Sequence, residues 1–440
     1  MASDCTRKER IASARKAKPA DQKLRTFWAS SVAAFFIIGA MPAMAQQIDV
    51  WAWDPNFNID IMQRAGKRYQ KIKPGVTFNI VDFGKSAVEQ KVQTSLTAQS
   101  YDLLPDIFLM EDYVAQRYLQ AFPGAFAPID GVVDLSKFAP YKGKLSTVDE
   151  KTYGVPFDSG VAGFFYRYDI LAKAGFKPEH LEGITWSRFI EIGKEVEAKT
   201  GTKMISFDFV EPANLYRIMM QSGGEWYFNE DGSTNISQNK SLRAALETMR
   251  EIRQAGIVVD ANGWADWTGA IATGKVASVV TGVWITGTLK SYSDQVGNWR
   301  VAPIPRLEIE GAKSASNLGG SSWYVLANSP DRDAAIDFLN EIYAKDTEFY
   351  QEILTDKGAF GTLLAASTGP AYEKPDAFFG GEQVWLDFAK WVAEIPPVTY
   401  GTFTGEVEAA INSEISNVLA GQSIDEALKR IEEQVYYQIR

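Results

Sequence analysis

The chain alternates two kinds of hydrophobic pattern. Ile48-Asp49-Val50-Trp51-Ala52-Trp53 predicts a strand, broken by Asp54-Pro55-Asn56. Apolar positions at Ile59, Met62, Ala65 and Tyr69 then recur at helical spacing up to Lys71 and Pro74-Gly75. Val76–Val81 predicts a second strand, Ala87–Thr97 a second helix, and Pro105–Met110 a third strand ending at Glu111-Asp112. Strands alternating with helices predict an α/β fold with a parallel sheet, whose ligands lie outside the carboxyl ends of the strands. Trp53-Asp54 and Glu111-Asp112-Tyr113 fall at such ends. Further on, Tyr153–Asp158 leads into Gly163–Tyr166 as one long strand. Helices are predicted over Trp186–Ala198, Leu242–Ala255 and Asp331–Tyr343, the last capped by Ser329, and strands over Ser278–Thr281 and Ser322–Ala327. Ser423, with Glu426 three residues on, opens the final helix.

The amino terminus changes the picture of where this fold works. Residues 1–26 carry eight basic side chains against three acids, an apolar run covers Phe27–Met41, and Ala43-Met44-Ala45 precedes Gln46. This is the pattern of a secretory signal peptide over 1–45, and the apolar run is too short for a membrane span. Cys5, the only cysteine, lies in that leader, so the mature chain has no thiol for a disulfide, a nucleophile, a thiolate metal site or a lipid anchor. A freely diffusing periplasmic protein is expected.

Charge and length add two constraints. The whole chain carries −10; without the leader, which contributes +5, it carries −15. Such acidity disfavours nucleic acid and anionic membranes as partners. About 395 residues exceed one ordinary core, so two lobes are expected.

Much catalytic chemistry is missing. One histidine, His180, sits in a turn context, which removes most zinc sites and Ser-His-Asp catalysis. Gly84-Lys85-Ser86 lacks the earlier glycine of a phosphate loop, since position 79 is Asn, and no GxGxxG run occurs. Asn229–Ser233 lacks the alternating acids of a calcium loop and reads as a turn. No metal or cofactor is expected. One catalytic option survives, a carboxylate pair drawn from Asp54, Glu111, Asp112 and Asp158 hydrolysing a glycoside.

Pro156–Lys173, PFDSGVAGFFYRYDILAK, resembles the signature segment of extracellular solute-binding proteins of ABC importers, of the maltose-binding type. Pro156, Phe157, Asp158, Gly163, Phe164, Phe165, Tyr166, Leu171 and Lys173 fit that pattern; Arg167 stands where Asn or Asp is usual. Thr185-Trp186 to Phe189, Ser222–Trp226, Thr273–Ala277, Gly282-Val283-Trp284, Pro303-Ile304-Pro305 and Gly319-Gly320 follow in the family's order. The resemblance implies a two-lobed type II periplasmic-binding-protein fold, each lobe a mostly parallel sheet flanked by helices, joined by a hinge. It implies lobes at 46–154 with 325–369 and at 155–324 with 370–440. It also implies a carbohydrate held in the cleft, a permease partner in the inner membrane, a monomer, and no enzyme activity.

Aromatic rings cover the apolar C–H faces of a sugar, and carboxylates or amides bind its hydroxyl rim. The stacking candidates are Trp53, Trp226, Trp284, Trp267, Trp323 and Tyr400; for Trp284 the resemblance carries the position directly. Hydroxyl contacts are expected from Asp54, Asn56, Glu111, Asp112, Asp158 and the backbone of Gly320. Trp51, Trp186, Trp299, Trp385 and Trp391 are expected in cores. Acids beside indoles also suit a polyamine, and a glycerol-phosphate ligand would need a basic cleft, for which Arg167 and Lys85 are the candidates.

Overall fold

The computed structural model describes residues 46–209 and 212–439; the leader expected over 1–45 lies outside them. Among the described residues eleven strands are formed: β1 Gln46–Ala52, β2 Val76–Asp82, β3 Ile107–Glu111, β4 Thr147–Val148, β5 Lys151–Thr152, β6 Gly154–Arg167, β7 Ile205–Asp208, β8 Val258–Ala261, β9 Ser278–Gly282, β10 Trp299–Ala302 and β11 Asn317–Val325. The main sheet has the order β10-β6-β11-β3-β1-β2, with β9 also paired to β6. Pairing is parallel along β2-β1-β3 and between β7 and β8, and antiparallel wherever the long strands β6 and β11 take part.

Successive residues of β3 serve opposite faces, as a period of two requires. Ile107 and Leu109 join one buried cluster with Val50, Trp323 and Phe338, while Phe108 and Met110 join another with Phe126 and Tyr324. A third and larger cluster surrounds Phe164, Phe165, Trp186, Phe189 and Trp299 and extends to Leu428 in the last helix. The helix Asp60–Ile72 buries Met62, Ala65 and Tyr69 of the expected stripe, together with Ile61, while Ile59 is buried at the end of the preceding turn Pro55–Ile59.

Most predicted elements form within a residue or two of their expected bounds. The exception is β11, which starts at Asn317, five residues before the predicted Ser322. Gly319 and Gly320 hide its start, because both have positive φ (92° and 83°) and the register against β6 shifts there, so the strand bends at two residues of low strand propensity. β11 and β6 pair Trp323 with Val155 and Tyr324 with Gly154. The two crossing points expected at Val155 and Tyr324 are therefore neighbours in space.

Caps follow the chemistry of their residues. Ser423 Oγ accepts the Glu426 N–H at 3.4 Å. The cap expected from Ser329 is not formed: Asp331 is the N-cap of the helix Arg332–Tyr343 and makes no side-chain cap bond, while Ser329 Oγ accepts the Asp331 N–H at 3.0 Å in the preceding turn and donates to Asp106. His180 lies exposed in a short 3₁₀ turn, its Nδ1 accepting the Lys177 N–H at 3.2 Å.

Candidate functional site

Three chain segments end at one cavity. β7 ends at Asp208, and the helix Ala213–Ser222 follows. β9 ends at Gly282 and runs directly into Val283-Trp284. The helix Trp264–Ala272 places Trp264 and Trp267 three residues apart, hence on one face. Together they enclose a cavity of about 340 Å³.

One wall is aromatic: Trp264, Trp267 and Trp284. The Trp264 ring centroid lies 5.4 Å from that of Trp267 and 5.9 Å from that of Trp284, at tilts of 39° and 37°. The Trp284 indole N–H donates to the Leu318 carbonyl at 2.8 Å, which fixes the ring on β11. Trp264 is 54% exposed and Trp284 36%. Two large aromatic side chains left open together are unusual for a surface that touches only water.

The floor is β7 and β9, through Phe207, Val280 and Thr281, and the polar edge is Asp208, Asn214 and Arg217. Asp208 also accepts the Gly263 N–H at 2.8 Å, which anchors the N-cap of the tryptophan helix. Arg217 donates from Nε to Glu408 Oε1 at 2.5 Å and from Nη2 to Oε2, and its guanidinium lies 4.5 Å over the Tyr113 ring. Tyr113 closes the opposite side, carried by the helix Asp112–Ala121 directly after β3. Burial, aided by the Glu111 charge, pushes its phenol up to about 12, so it stays neutral.

Of the side chains expected at the site, Trp267 and Trp284 line this cavity. Glu111 is adjacent in sequence to the Tyr113 segment but pairs with Lys85, whose ammonium also lies 3.4 Å from Tyr113 Oη. Trp53 packs partly buried between two core clusters. Asp54, at φ 64°, accepts the N–H groups of Asn56 and Phe57 and so caps the turn Pro55–Ile59. Asn56 is exposed, and its carbonyl accepts from Lys357 Nζ at 3.0 Å.

Several expectations need correcting. Trp323 is fully buried between Phe157 and Tyr343 in a core cluster, because β11 turns it toward the helix Arg332–Tyr343. Trp226 and Tyr400 are also buried, with ring centroids 4.6 Å apart; the indole N–H bonds Thr404 at 3.1 Å and the phenol bonds Gln221 at 3.0 Å. Asp112 is buried and holds Lys142 Nζ at 2.7 and 2.8 Å, while Lys142 also donates to the Ser321 carbonyl at 2.8 Å. Asp158 accepts the Ser321 N–H at 2.7 Å and its hydroxyl at 2.6 Å. Gly320 sits against this lock, where a Cβ would come within 2.9 Å of Asp112 Oδ2. These carboxylates fasten β6 to β11 and the helix after β3.

Neither candidate cation faces the cavity. Arg167 makes a two-pronged pair with Asp169, both bonds at 2.8 Å, and Lys85 is held by Glu111. Trp264, Asp208, Asn214 and Arg217 escaped the sequence reading, which placed Tyr113 at a ligand-facing strand end without choosing it as a contact. The Trp264-x-x-Trp267 spacing carried a signal for Trp264; nothing local marked Arg217. Trp186 and Trp299 are core residues, as expected. Among the described residues, no group of three or more His, Cys, Asp or Glu side chains is arranged to hold a metal ion.

Comparisons place this geometry. The family described as bacterial extracellular solute-binding protein matches residues 64–380. A lactose-binding protein of Rhizobium radiobacter is 54% identical over 411 residues, covering 93% of this chain and 97% of the relative. An arabinooligosaccharide-binding protein of Halalkalibacterium halodurans is 25% identical over 353 residues, covering 77% of this chain and 78% of the relative. Among solved structures, the sugar-binding protein MalE from the phytopathogen Xanthomonas citri superposes with a TM-score of 0.74 at 17% identity, covering 90% of this chain and 98% of that one.

Proposed function

Because the chain belongs to the bacterial extracellular solute-binding proteins, we propose that it captures a neutral saccharide of disaccharide size and hands it to an ABC permease. The observation that carries this reading is the row of three indoles, Trp264, Trp267 and Trp284, opening on one cavity. Stacked rings take the C–H faces of a pyranose, and Asp208, Asn214 and Arg217 supply acceptors and donors for its hydroxyls. A volume of about 340 Å³ lies at the lower end of the range for small-molecule sites. The high identity to a lactose-binding relative makes lactose the first ligand to test.

The rest of the reading follows from the same support. The two lobes comprise 46–154 with 325–369 and 155–324 with 370–440, hinged where β6 and β11 pair at Val155 and Trp323. Tyr113 from the first lobe closes over the tryptophans of the second, so ligand binding favours the closed form. The leader at 1–45 directs the chain to the periplasm, without a lipid anchor, where it acts as a monomer. The protein binds without hydrolysing: Asp54, Glu111, Asp112 and Asp158 are each engaged by protein groups, which disfavours the carboxylate pair of a glycosidase.

Isothermal titration of the purified chain with lactose, other di- and oligosaccharides, putrescine and glycerol 3-phosphate tests the reading. Saturable binding of a neutral saccharide, insensitive to salt, is expected. Binding of putrescine alone, weakening with salt, would overturn it in favour of a cation receptor.

A further inference from the structure

Arg217 is, among the described residues, the one cation lining the cavity, and Asp208 the one anion. Its charge is not presented alone. Glu408, 5% exposed and not part of the cavity wall, takes both Nε and Nη2 of the guanidinium. The Tyr227 hydroxyl donates to the same carboxylate at 3.1 Å, fixing it from a third direction. One face of the guanidinium is covered by the Tyr113 ring, 4.5 Å away. A cation so enclosed still offers N–H groups, yet its net field in the cavity is cancelled by a carboxylate in direct contact.

We infer that Glu408 is a positioning residue that sets charge selectivity, by masking Arg217 so that the cavity admits uncharged saccharides and rejects acidic ones. This rests on the carbohydrate reading above. With the pair intact, a carboxylate-bearing sugar meets no uncompensated cation on the described cavity wall and loses hydration without a charge partner. With the Glu408 charge removed, Arg217 becomes a free partner for that carboxylate.

The experiment titrates lactose and its counterpart oxidised to a carboxylate at one primary hydroxyl into wild type, Glu408→Gln, Glu408→Asp and the double variant Arg217→Gln/Glu408→Gln. Glu408→Gln should raise the ratio of acidic to neutral affinity roughly tenfold, the scale of one unmasked charge at partly screened contact distance, and the gain should shrink as salt rises. Glu408→Asp keeps the charge and should leave the ratio within about twofold of wild type. The double variant removes both charges and should restore the wild-type ratio, which a purely structural role for Glu408 does not predict. An unchanged ratio in a Glu408→Gln protein that melts like wild type would overturn the inference. If that variant fails to fold, a shifted ratio in the double variant overturns it and a wild-type ratio supports it. Wild type that takes neither sugar counts against the carbohydrate reading instead. The charge device is then read with putrescine, whose affinity should fall in Glu408→Gln; an unchanged affinity would overturn it.

Discussion

A Cβ on Gly282 would lie 2.2 Å from Nε1 of Trp284. The last residue of β9 is thus glycine because the indole folds back over it to reach the Leu318 carbonyl. The same Cβ would also meet Leu318 O at 2.6 Å, so relief requires movement of backbone as well as ring. Gly282→Ala should cost about 1–3 kcal/mol of stability through overpacking and displace the indole from the cavity wall. Thermal melts and the ligand-induced change in tryptophan fluorescence check both parts; an unaltered fluorescence response would refute the second.

Trp264 and Trp284 are exposed where Trp323 is buried, and the difference separates binding from packing. Trp264→Ala or Trp284→Ala should lose about 1.5–3 kcal/mol of saccharide affinity. Without ligand, Trp264→Ala should stay within about 0.5 kcal/mol of wild-type stability, and Trp284→Ala, which gives up the bond to Leu318, within about 1–2 kcal/mol. Trp323→Ala should do the reverse, losing about 3–5 kcal/mol of stability through cavity formation. Denaturant melts paired with calorimetric titrations decide between these assignments.

Asp112 and Lys142 form an ion pair with both side chains out of water, 1% and 0% exposed. Removing one partner strands the other. Asp112→Ala should therefore destabilise by about 3–5 kcal/mol, while the apolar double variant Asp112→Leu/Lys142→Met should recover most of the loss. Urea denaturation of the single and double variants measures this, and additive losses would contradict it.

Burial pushes the Asp112 carboxyl up to about 6, against the lowering influence of Lys142, and burial likewise pushes Glu382 up to about 6. Asp158 and Asp106 move in the same direction for the same reason. For an acid whose pKa is raised on folding, the native state binds more protons than the unfolded chain, whose carboxyls titrate near 4. The slope of stability with pH is then negative: the contribution is full below about pH 4 and lost as pH rises through about 6. Asp60, held low by Lys357 and Arg64 against its burial, and Asp337, held low by Lys73 and the Tyr69 hydroxyl against its burial, act in the opposite sense but only below the ordinary carboxylate range. Melting temperature should therefore be higher by roughly 2–4 °C at about pH 5.5 than at about pH 7.5. Glu382→Gln should flatten the profile. Scanning calorimetry across this window provides the check, and a midpoint that climbs toward neutral pH would exclude it.

The elements and the family resemblance were legible along the chain because both are local. The stripe Ile59, Met62, Ala65, Tyr69, the apolar run of β3 and the cap at Ser423 need only near neighbours in sequence. The segment Pro156–Lys173 likewise declares its kinship within eighteen residues, and Trp284 follows from Gly282-Val283. What each polar side chain would touch was not local. Asp112 finds Lys142 thirty residues away, Asp158 finds Ser321, and Arg217 finds Glu408, across 163 and 191 positions. A carboxylate at a strand end satisfies its charge with whichever donor packing brings nearest, and a tryptophan is core or site according to which way its strand or helix face turns. Only the assembled structure decides those directions, so it alone separates Trp264 and Trp284, open at the cavity, from Trp226 and Trp323, sealed in the interior.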